Sequence, residues 1–517
     1  MKKIVLLKIS IFLFVHYISA STYNLKELGA DATGKVKCTE LINMTIEKAH
    51  AEGGGTLFFP AGEYLTAAIN LKSNITLNIE TGATLRFSDQ FEDYLPFKRV
   101  RWEGIFMNSF APLINAQNAK NISITGRGIL DGQGLKWWEF DLPIINETRK
   151  TGKATNLSPI QKKWEEDNKD LVVEEYYKRS MERRFFRPPF IQFLECDNVL
   201  IEGVTIKNSP FWTINPVGCN NLVVHGVTIL NPSQNPKGPN TDGINPSSCK
   251  NVRISDCFIS VGDDCITIKS GRDADGRKYG KPCENITITN CVMLSGHGGV
   301  VIGSEMSGGV KKVTISNCVF DGTDAGIRLK ASRGRGGIVE EIRVDNIVMN
   351  DIQKNAFIFD LFYDKYSKPE PVSERTPIFR NIHISNVTGS NIKKIGYITG
   401  IEEMPVEEIS FSNINLVGQE GFSVKTAKNI QFHNVDFAVE KGASFSFTDC
   451  KDVVLDNVRS KNPIKGQAVV EIENIENAFI NNCFPIAKTD IFCNSVKSRI
   501  VWGNNFMNNV KTSHNQK

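Results

Sequence analysis

Residues 199–206 read VLIEGVTI, and residues 222–229 repeat the same pattern as LVVHGVTI. Apolar side chains stand at relative positions 0, 2, 5 and 7 of each copy. Alternation by two residues is typical of a β-strand, so each copy predicts two short strands joined by a corner. Further copies begin at residues 252, 286, 313, 342, 409 and 430, and partial copies begin at 453 and 478.

The spacing between the copies indicates how these strands are arranged. Copies between residues 199 and 313 start roughly 23–34 residues apart, a period typical of a solenoid or a propeller. A propeller blade needs four antiparallel strands with tight hairpins, and few two-residue hairpin signals occur here. One coil cannot bury its inner face alone, so the coils are expected to stack around a continuous core. The repeat therefore predicts an all-β fold, a parallel β-helix.

A helix is predicted over residues 39–52, before the repeat. Ile42, Ile46 and Ala49 fall on one helical face, and the glycines at 53–55 end the pattern. Because a solenoid must protect its ends, we expect this helix to cap the first coil.

Residues 133–188 interrupt the repeat. They hold Trp137, Trp138 and the arginines at 183, 184 and 187, among many other charges. This inserted region is either a solvated flap or a wall of a substrate cleft.

The first 20 residues differ from the rest of the chain. Lys2 and Lys3 precede an apolar stretch over 9–15, and the small residues Ser19 and Ala20 follow. This pattern predicts a signal peptide over 1–20, which leaves a single parallel β-helix domain over 21–517. The apolar stretch is too short for a typical membrane span. We therefore expect a soluble periplasmic or secreted protein with no membrane partner.

Charge and cysteine usage narrow the classes of partner. The net charge of +4 falls to +1 when the three lysines of the first 20 residues are left out, which argues against nucleic acid as a partner.

Twelve cysteines suggest disulfides in an exported protein. Their recurrence at one place in the repeat favours small apolar core fillers instead, and the absence of close CxxC pairs disfavours zinc. We expect a monomer without a cofactor or metal.

Four polar clusters occupy similar places in successive middle coils. They are Asn240-Thr241-Asp242-Gly243, Gly262-Asp263-Asp264, Gly296-His297-Gly298 and Arg328-Leu329-Lys330. Equivalent residues of stacked coils lie about 4.8 Å apart, and these clusters follow one another at about one coil each. They are therefore expected to form one column on an outer face of the solenoid.

Three carboxylates, an imidazole and two cations in one column favour catalysis over stability, because packed like charges cost free energy. Glycoside hydrolysis needs one protonated carboxylic acid and one ionised carboxylate. Asp242, Asp263 and Asp264 can keep one proton among them. Arg328 and Lys330 are suited to bind an acidic sugar. Each cluster alone is typical of a turn or a solvated strand; the four in order, one coil apart, form a much more specific signal.

At these clusters the sequence resembles glycoside hydrolase family 28, the polygalacturonases, and in particular its bacterial exo-acting members. The resemblance also covers GGGTLFFPAGEYL at 53–65 and GRGILDGQG at 126–134. It implies a right-handed β-helix and metal-free, inverting hydrolysis of α-1,4-linked galacturonate. The residues that it assigns are Asp263 as general acid, Asp242 and Asp264 as activators of water, and Asn240, Arg328 and Lys330 as sugar ligands. For His297 it implies either support of the acid's protonation or binding of the substrate.

The segment GSEMSGG at 303–309 resembles exo-acting members more than fungal endo-enzymes. The insertion at 133–188 and the stretch 350–378 are candidates for closing one end of the cleft. The alternatives are an endo-polygalacturonase, a rhamnogalacturonan hydrolase, a calcium-dependent pectate lyase and a non-catalytic carbohydrate-binding β-helix.

Overall fold

A computed structural model of the protein describes residues 21–151, 157–172, 187–234, 237–363, 367–507 and 510–515. The predicted signal peptide and the arginines at 183 and 184 lie outside these ranges. The chain forms a right-handed parallel β-helix, which confirms the fold predicted from the repeat. Among the described residues, none of the helices has both the length and the apolar character that a bilayer crossing requires.

Each coil contributes strands to three parallel stacks. The first stack contains β1 Ser21–Asn24, β3 Gly55–Phe59, β6 Ile75–Ile79, β11 Lys120–Gly126, β14 Asp197–Glu202, β16 Asn220–His225, β18 Lys250–Ser255 and β21 Cys283–Thr289. The second contains β2 Thr33–Lys37, β4 Gly62–Thr66, β7 Ala83–Phe87, β12 Ile129–Asp131, β15 Thr205–Lys207, β17 Thr228–Leu230, β19 Phe258–Ser260 and β22 Val292–Ser295. The third contains β5 Ile69–Asn70, β10 Ile114–Gln117, β13 Ile191–Leu194, β20 Asp264–Ile268, β23 Gly298–Gly303, β25 Ala325–Lys330 and β27 Asn355–Asp360.

The later coils are continued by long strands that bend through the corners. These are β24 Val310–Asp321, β26 Ile338–Asn350, β28 Ile378–Thr399 and β29 Val406–Ser460, followed by β30 Ala468–Ile475, β31 Ala478–Asn481, β32 Ile491–Val496, β33 Ile500–Trp502 and β34 Lys511–Asn515. An antiparallel hairpin, β8 Lys98–Trp102 and β9 Ile105–Ser109, stands outside the three stacks.

The apolar positions of the repeat point inward. Val199, Ile201, Val204 and Ile206 are buried, and Val199 pairs in register with Leu222 of the next coil. The asparagine that precedes many copies has a left-handed backbone, as at Asn198 and Asn221, a conformation that its short polar side chain tolerates. These amides also form a ladder: Asn221 donates to Asn198 over 2.6 Å. The repeat thus encodes both the core and its corners.

All twelve cysteines are buried and free of disulfides, so the interpretation as core fillers is confirmed. Cys257, Cys291 and Cys318 lie at corresponding corner positions of successive coils, where they pack into the core. Their buried thiols fill the narrow corners that a larger side chain would overpack.

In the described ranges, four α-helices and one 3₁₀ turn accompany the strands: α1 Thr39–Ala51, the 3₁₀ turn Phe91–Tyr94, α2 Leu135–Thr151, α3 Pro159–Asp167 and α4 Asp273–Tyr279. Helix α1 agrees with the predicted helix to within one residue and buries Ile42, Ile46 and Ala49; its capping role stays a prediction. Helices α2 and α3 lie within the inserted region. Trp137 and Trp138 are buried against the solenoid, so this part of the insertion is packed rather than a solvated flap.

Candidate active site

The third stack carries a cleft of about 550 Å³ on its outer face. All seven residues that the sequence singled out line this cleft: Asn240, Asp242, Asp263, Asp264, His297, Arg328 and Lys330. The register explains the convergence. Asp264 pairs with Gly298 beside His297, Val301 pairs with Arg328, and Gly303 pairs with Lys330. Residues far apart in the sequence therefore occupy neighbouring rungs of one surface.

The three aspartates form a compact cluster whose nearest oxygens lie within 4.8 Å of one another. Asp242 and Asp264 are buried, and Asp263 is partly exposed. Burial, followed by the charge of Asp263, raises the pKa of the Asp242 carboxyl well above its ordinary value. The cluster therefore holds a proton at a pH where isolated carboxyls are ionised.

One oxygen of this cluster is buried without a protein partner. Asp264 accepts a hydrogen bond from Lys330 Nζ on Oδ2 over 2.9 Å, whereas its Oδ1 has no hydrogen-bond partner among the described residues. Asp242 is held from the other side, since the Asn245 amide donates to its Oδ2 over 3.0 Å. A fixed, unshared carboxylate oxygen is suited to accept a hydrogen bond from an attacking water.

His297 lies directly beside Asp263, with 3.1 Å between His297 Nδ1 and Asp263 Oδ1. Its neighbour Gly296 has a φ of 135°, and a Cβ there would lie 2.4 Å from the Asp263 carbonyl oxygen. Only glycine permits this close approach. Burial raises the pKa of Asp263, but the hydrogen bond from His297, the positive charge of that imidazole when it is protonated, and Lys330 outweigh burial and lower that pKa to about 2. With His297 protonated, the carboxyl with the greater proton affinity is therefore Asp242 rather than Asp263.

Arg328 is the cation best placed to bind an anionic sugar. Its side chain is half-buried in the cleft, and its Nε has no hydrogen-bond partner among the described residues. The Tyr363 ring lies 5.6 Å from the guanidinium carbon. Lys330, by contrast, already pairs with Asp264. The two predicted sugar ligands therefore differ: Arg328 keeps free donors, and Lys330 also neutralises the carboxylate cluster.

Asn240 is oriented by a residue of the inserted region. Arg187 is fully buried, pairs with Asp141 over 2.8 Å and donates to Asn240 Oδ1 over 2.9 Å. Because its oxygen is occupied, the Asn240 amide presents its N–H donors as its remaining hydrogen-bonding groups. A charged run that looks solvent-exposed in the sequence thus supplies a structural arginine to the site.

A second charged network lies on the opposite side of the cleft and was not identified from the sequence. Glu305 Oε2 lies 2.8 Å from Lys269 Nζ, and Glu305 Oε1 lies 2.6 Å from Arg272. Lys269 also lies 3.9 Å from Asp242 and 4.6 Å from the Trp212 ring centre. Burial would raise the pKa of Glu305, yet these cations hold it well below its usual range. Glu305 falls within the segment 303–309, whose resemblance to exo-acting members was the available signal.

The hairpin β8–β9 contributes to the wall of the cleft beside this network. Its tip residue Glu103 lines the cleft, and the Gly104 carbonyl accepts a hydrogen bond from the Arg272 backbone N–H over 3.1 Å. Behind the tip, Trp102 stacks on Phe211 with ring centres 4.9 Å apart. Helix α3 supports the hairpin through paired hydrogen bonds between Asn108 and Asn168, each 2.8 Å long. The inserted region therefore supports the wall from behind.

The stretch 350–378 also contributes to the cleft, through Lys354, Asn355, Ile358 and Tyr363. This places it beside Arg328, because Arg328 pairs in register with Ile358. Two segments were predicted to close one end of the cleft. The stretch 350–378 lines the cleft directly, and the insertion at 133–188 supports the hairpin whose tip lines it.

The aspartate cluster is compact enough to surround a cation, but two ammonium groups already contact it. Lys330 lies 2.9 Å from Asp264, and Lys269 lies 3.9 Å from Asp242. A divalent cation there would face both ammonium groups at close range and would gain little from carboxylates that are already paired. The donor set therefore does not favour the calcium site that a lyase requires.

A cleft with clustered carboxylic acids beside cations, carried on a parallel β-helix, defines a carbohydrate-cleaving enzyme of the glycoside hydrolase class. The family model for glycosyl hydrolases family 28 matches residues 178–431. The chain is 30% identical to a probable polygalacturonase of Vitis vinifera over 77% of this chain and 74% of that protein. It is 28% identical to an exo-poly-alpha-D-galacturonosidase of Dickeya chrysanthemi over 84% and 74%.

A solved structure extends this similarity to the fold. The crystal structure of a hyperthermoactive exopolygalacturonase from Thermotoga maritima superposes with a TM-score of 0.70 at 35% identity, covering 81% of this chain and 92% of that one. The protein belongs to glycosyl hydrolase family 28.

Proposed function

We propose that this protein is an exo-acting polygalacturonate hydrolase that removes galacturonate from chain ends. The observation that carries the proposal is the Arg328 guanidinium beside the aspartate cluster, whose Nε has no hydrogen-bond partner in the described part of the chain, in a cleft that the hairpin helps to line. A guanidinium with free donors binds a carboxylate sugar more readily than a neutral one. The similarity to the exo-poly-alpha-D-galacturonosidase of Dickeya chrysanthemi and to the exopolygalacturonase of Thermotoga maritima supports this substrate and exo action.

In the proposed reaction Asp263 protonates the glycosidic oxygen as that bond breaks. A water held by Asp264 Oδ1 attacks the anomeric carbon, and its proton passes to Asp264, while Asp242 helps to hold the water. The geometry favours this division of roles because Asp263 lies toward His297 on the more exposed edge. Asp242 and Asp264 are buried deeper in the cleft.

Stereochemistry needs its own test, because the distance rule and the family resemblance disagree. Inverting enzymes usually separate their two carboxyl groups by about 6.5–9.5 Å, whereas here the nearest oxygens lie within 4.8 Å. We nevertheless propose inversion, since two of the three aspartates can hold the water together. Proton NMR of the first product formed from an α-linked substrate decides: the β-anomer supports inversion, and the α-anomer contradicts it.

Exo action is proposed from the hairpin wall. A closed cleft accepts only a chain terminus, so chromatography of early digests of galacturonate oligomers is expected to give monomer from the first time point. Mixed oligomers would indicate endo action instead. An unsaturated, UV-absorbing product that disappears with a chelator would indicate a lyase. Release only from rhamnose-containing pectin would indicate a rhamnogalacturonan hydrolase, and binding without any product would indicate a non-catalytic protein.

We further propose that residues 1–20 are a signal peptide and that the mature protein is a periplasmic or secreted monomer. The basic start and short apolar stretch support export. N-terminal sequencing of the protein from cell fractions is expected to begin near Ser21. Size-exclusion chromatography with light scattering is expected to give the mass of one chain.

A further inference from the structure

Lys237 precedes Asn240 by three residues and contacts His297, which lines the cleft. Its exposed ammonium group lies 2.7 Å from Nε2 of His297. The other ring nitrogen of His297, Nδ1, faces Asp263 Oδ1 at 3.1 Å. The imidazole is therefore held between a cation and a carboxylate.

This arrangement restricts the protonation state of the imidazole. An ammonium group has donors but no acceptor, so the hydrogen bond requires Nε2 to accept and Nδ1 to carry the hydrogen. An imidazolium at this distance from an ammonium would place two like charges in contact. Lysine amines ordinarily hold their proton to about pH 10.4 and imidazoles only to about pH 6.5. The contact therefore favours the imidazole tautomer that carries its hydrogen on Nδ1 and leaves Nε2 bare to accept from Lys237.

We infer that Lys237 is a positioning residue, which keeps His297 in its neutral, Nδ1-protonated tautomer and so leaves the neighbouring acid able to carry its proton. The inference rests on the proposed function in one respect, namely that Asp263 is the general acid. A general acid must be protonated before the reaction, and an imidazolium in contact with it favours its ionised form. A neutral imidazole keeps the hydrogen bond to Asp263 without that charge.

The other charged groups around the pair do not replace Lys237. Asp242 and Asp264 lie beside Asp263, and Lys330, which pairs with Asp264, acts on Asp263 through its charge without contacting His297. On the next coil, Asp324 is paired with Lys354 over 2.7 Å, so these two charges largely offset each other. Among the described residues, Lys237 is the side chain that hydrogen-bonds His297 Nε2.

The test compares Lys237→Met, Lys237→Arg and, as a matched control, Lys451→Met. Lys451 is an exposed lysine paired with Glu476 in the late coils. The alkaline limb of the kcat/KM profile reports ionisation of the acid in the free enzyme. In Lys237→Met the imidazole can take up a proton, and this limb is expected to move about 1–3 pH units lower. Lys237→Arg restores a cationic donor and is expected to keep the limb in place, as is Lys451→Met.

A second measurement needs neither substrate nor activity. Nitrogen-15 NMR of histidine-labelled protein, with the His297 signals assigned by their loss in His297→Gln, is expected to show Nδ1 protonated and Nε2 bare. Protonation of both nitrogens is expected in Lys237→Met at slightly acidic pH. An unmoved alkaline limb in Lys237→Met, or an Nε2-protonated ring in the unaltered protein, overturns the inference. Because the tautomer is read in the free protein, that result is independent of which sugar is cleaved.

Discussion

The proposal that the cleft binds an acidic sugar is tested most directly at Arg328. Replacing it by Gln removes the positive charge and keeps a polar side chain of similar reach. The Arg328 guanidinium pairs with no carboxylate among the described residues, and its Nε has no partner there. Replacing Arg328 therefore leaves no buried carboxylate of the described residues without its partner. The free energy of unfolding is expected to change by less than about 1 kcal/mol.

The expected effect on catalysis follows from the hydrogen bonds that the substrate loses. A hydrogen bond to a charged group contributes about 1.5–3 kcal/mol. At about 1.36 kcal/mol for each factor of ten, kcat/KM on galacturonate oligomers is expected to fall roughly 10- to 150-fold. Arg343→Gln serves as the control, since Arg343 lies on the outer surface and bonds to Asn381, and its activity is expected to remain unchanged.

The assay is the initial rate of product release at fixed ionic strength, repeated with oligomers whose carboxyl groups are methyl-esterified. If Arg328 binds a carboxylate, esterification and Arg328→Gln remove the same interaction, and their effects are not additive. A variant whose kcat/KM on the acidic oligomers stays within about threefold of the original enzyme would refute this reasoning. So would fully additive losses, because they place the carboxylate elsewhere.

Three further outcomes are expected. Asp263→Asn cannot donate a proton, so turnover is expected to fall about 10²- to 10⁴-fold while the melting temperature stays nearly constant; substantial turnover in single-turnover assays removes the assigned acid. Glu305→Gln removes the carboxylate nearest to two buried cations, Lys269 and Arg272. The free energy of unfolding, measured by denaturant titration, is expected to fall by about 3–5 kcal/mol. Glu305→Asp, which keeps the charge, is the conservative comparison. Because the pKa of Glu305 is lowered by folding, its contribution is present above the ordinary glutamate pKa of about 4.3 and is lost as the pH falls below it; a melting temperature independent of pH between about 6 and 3 contradicts this. Since all twelve cysteines are free, dithiothreitol is expected to leave the melting temperature unchanged, and a marked decrease would reveal a disulfide.

Much of the fold and the centre of the site follow from the repeat alone. A period of two within strands and a regular return of the pattern identify the coils, and the coil spacing is enough to bring Asp242, Asp264, His297 and Arg328 together. This works because stacking converts a position in the repeat directly into a position on the surface. The cysteine columns follow from the same rule.

Features without a period were not predictable in this way. The hairpin over 98–109 belongs to no coil, and only its contacts with Arg272 and Phe211 place it across the cleft. Arg187 belongs to a charged run that is typical of a solvated face, yet it is buried against Asp141. Lys237 lies in a loop whose sequence indicates only a turn. In each case the position depends on a partner distant in the chain, which local patterns do not specify.

The active-site groups come from consecutive rungs, while the loops that shape the ends of the cleft leave from the corners between them. Lengthening such a loop changes which part of a polymer can enter, but it leaves the rung register, and with it every reacting atom, unchanged. Chain-end selectivity and bond-breaking chemistry can therefore diverge separately during evolution. A descendant of this protein could become selective for internal bonds of the polymer by shortening one such loop, while its catalytic groups stay in place.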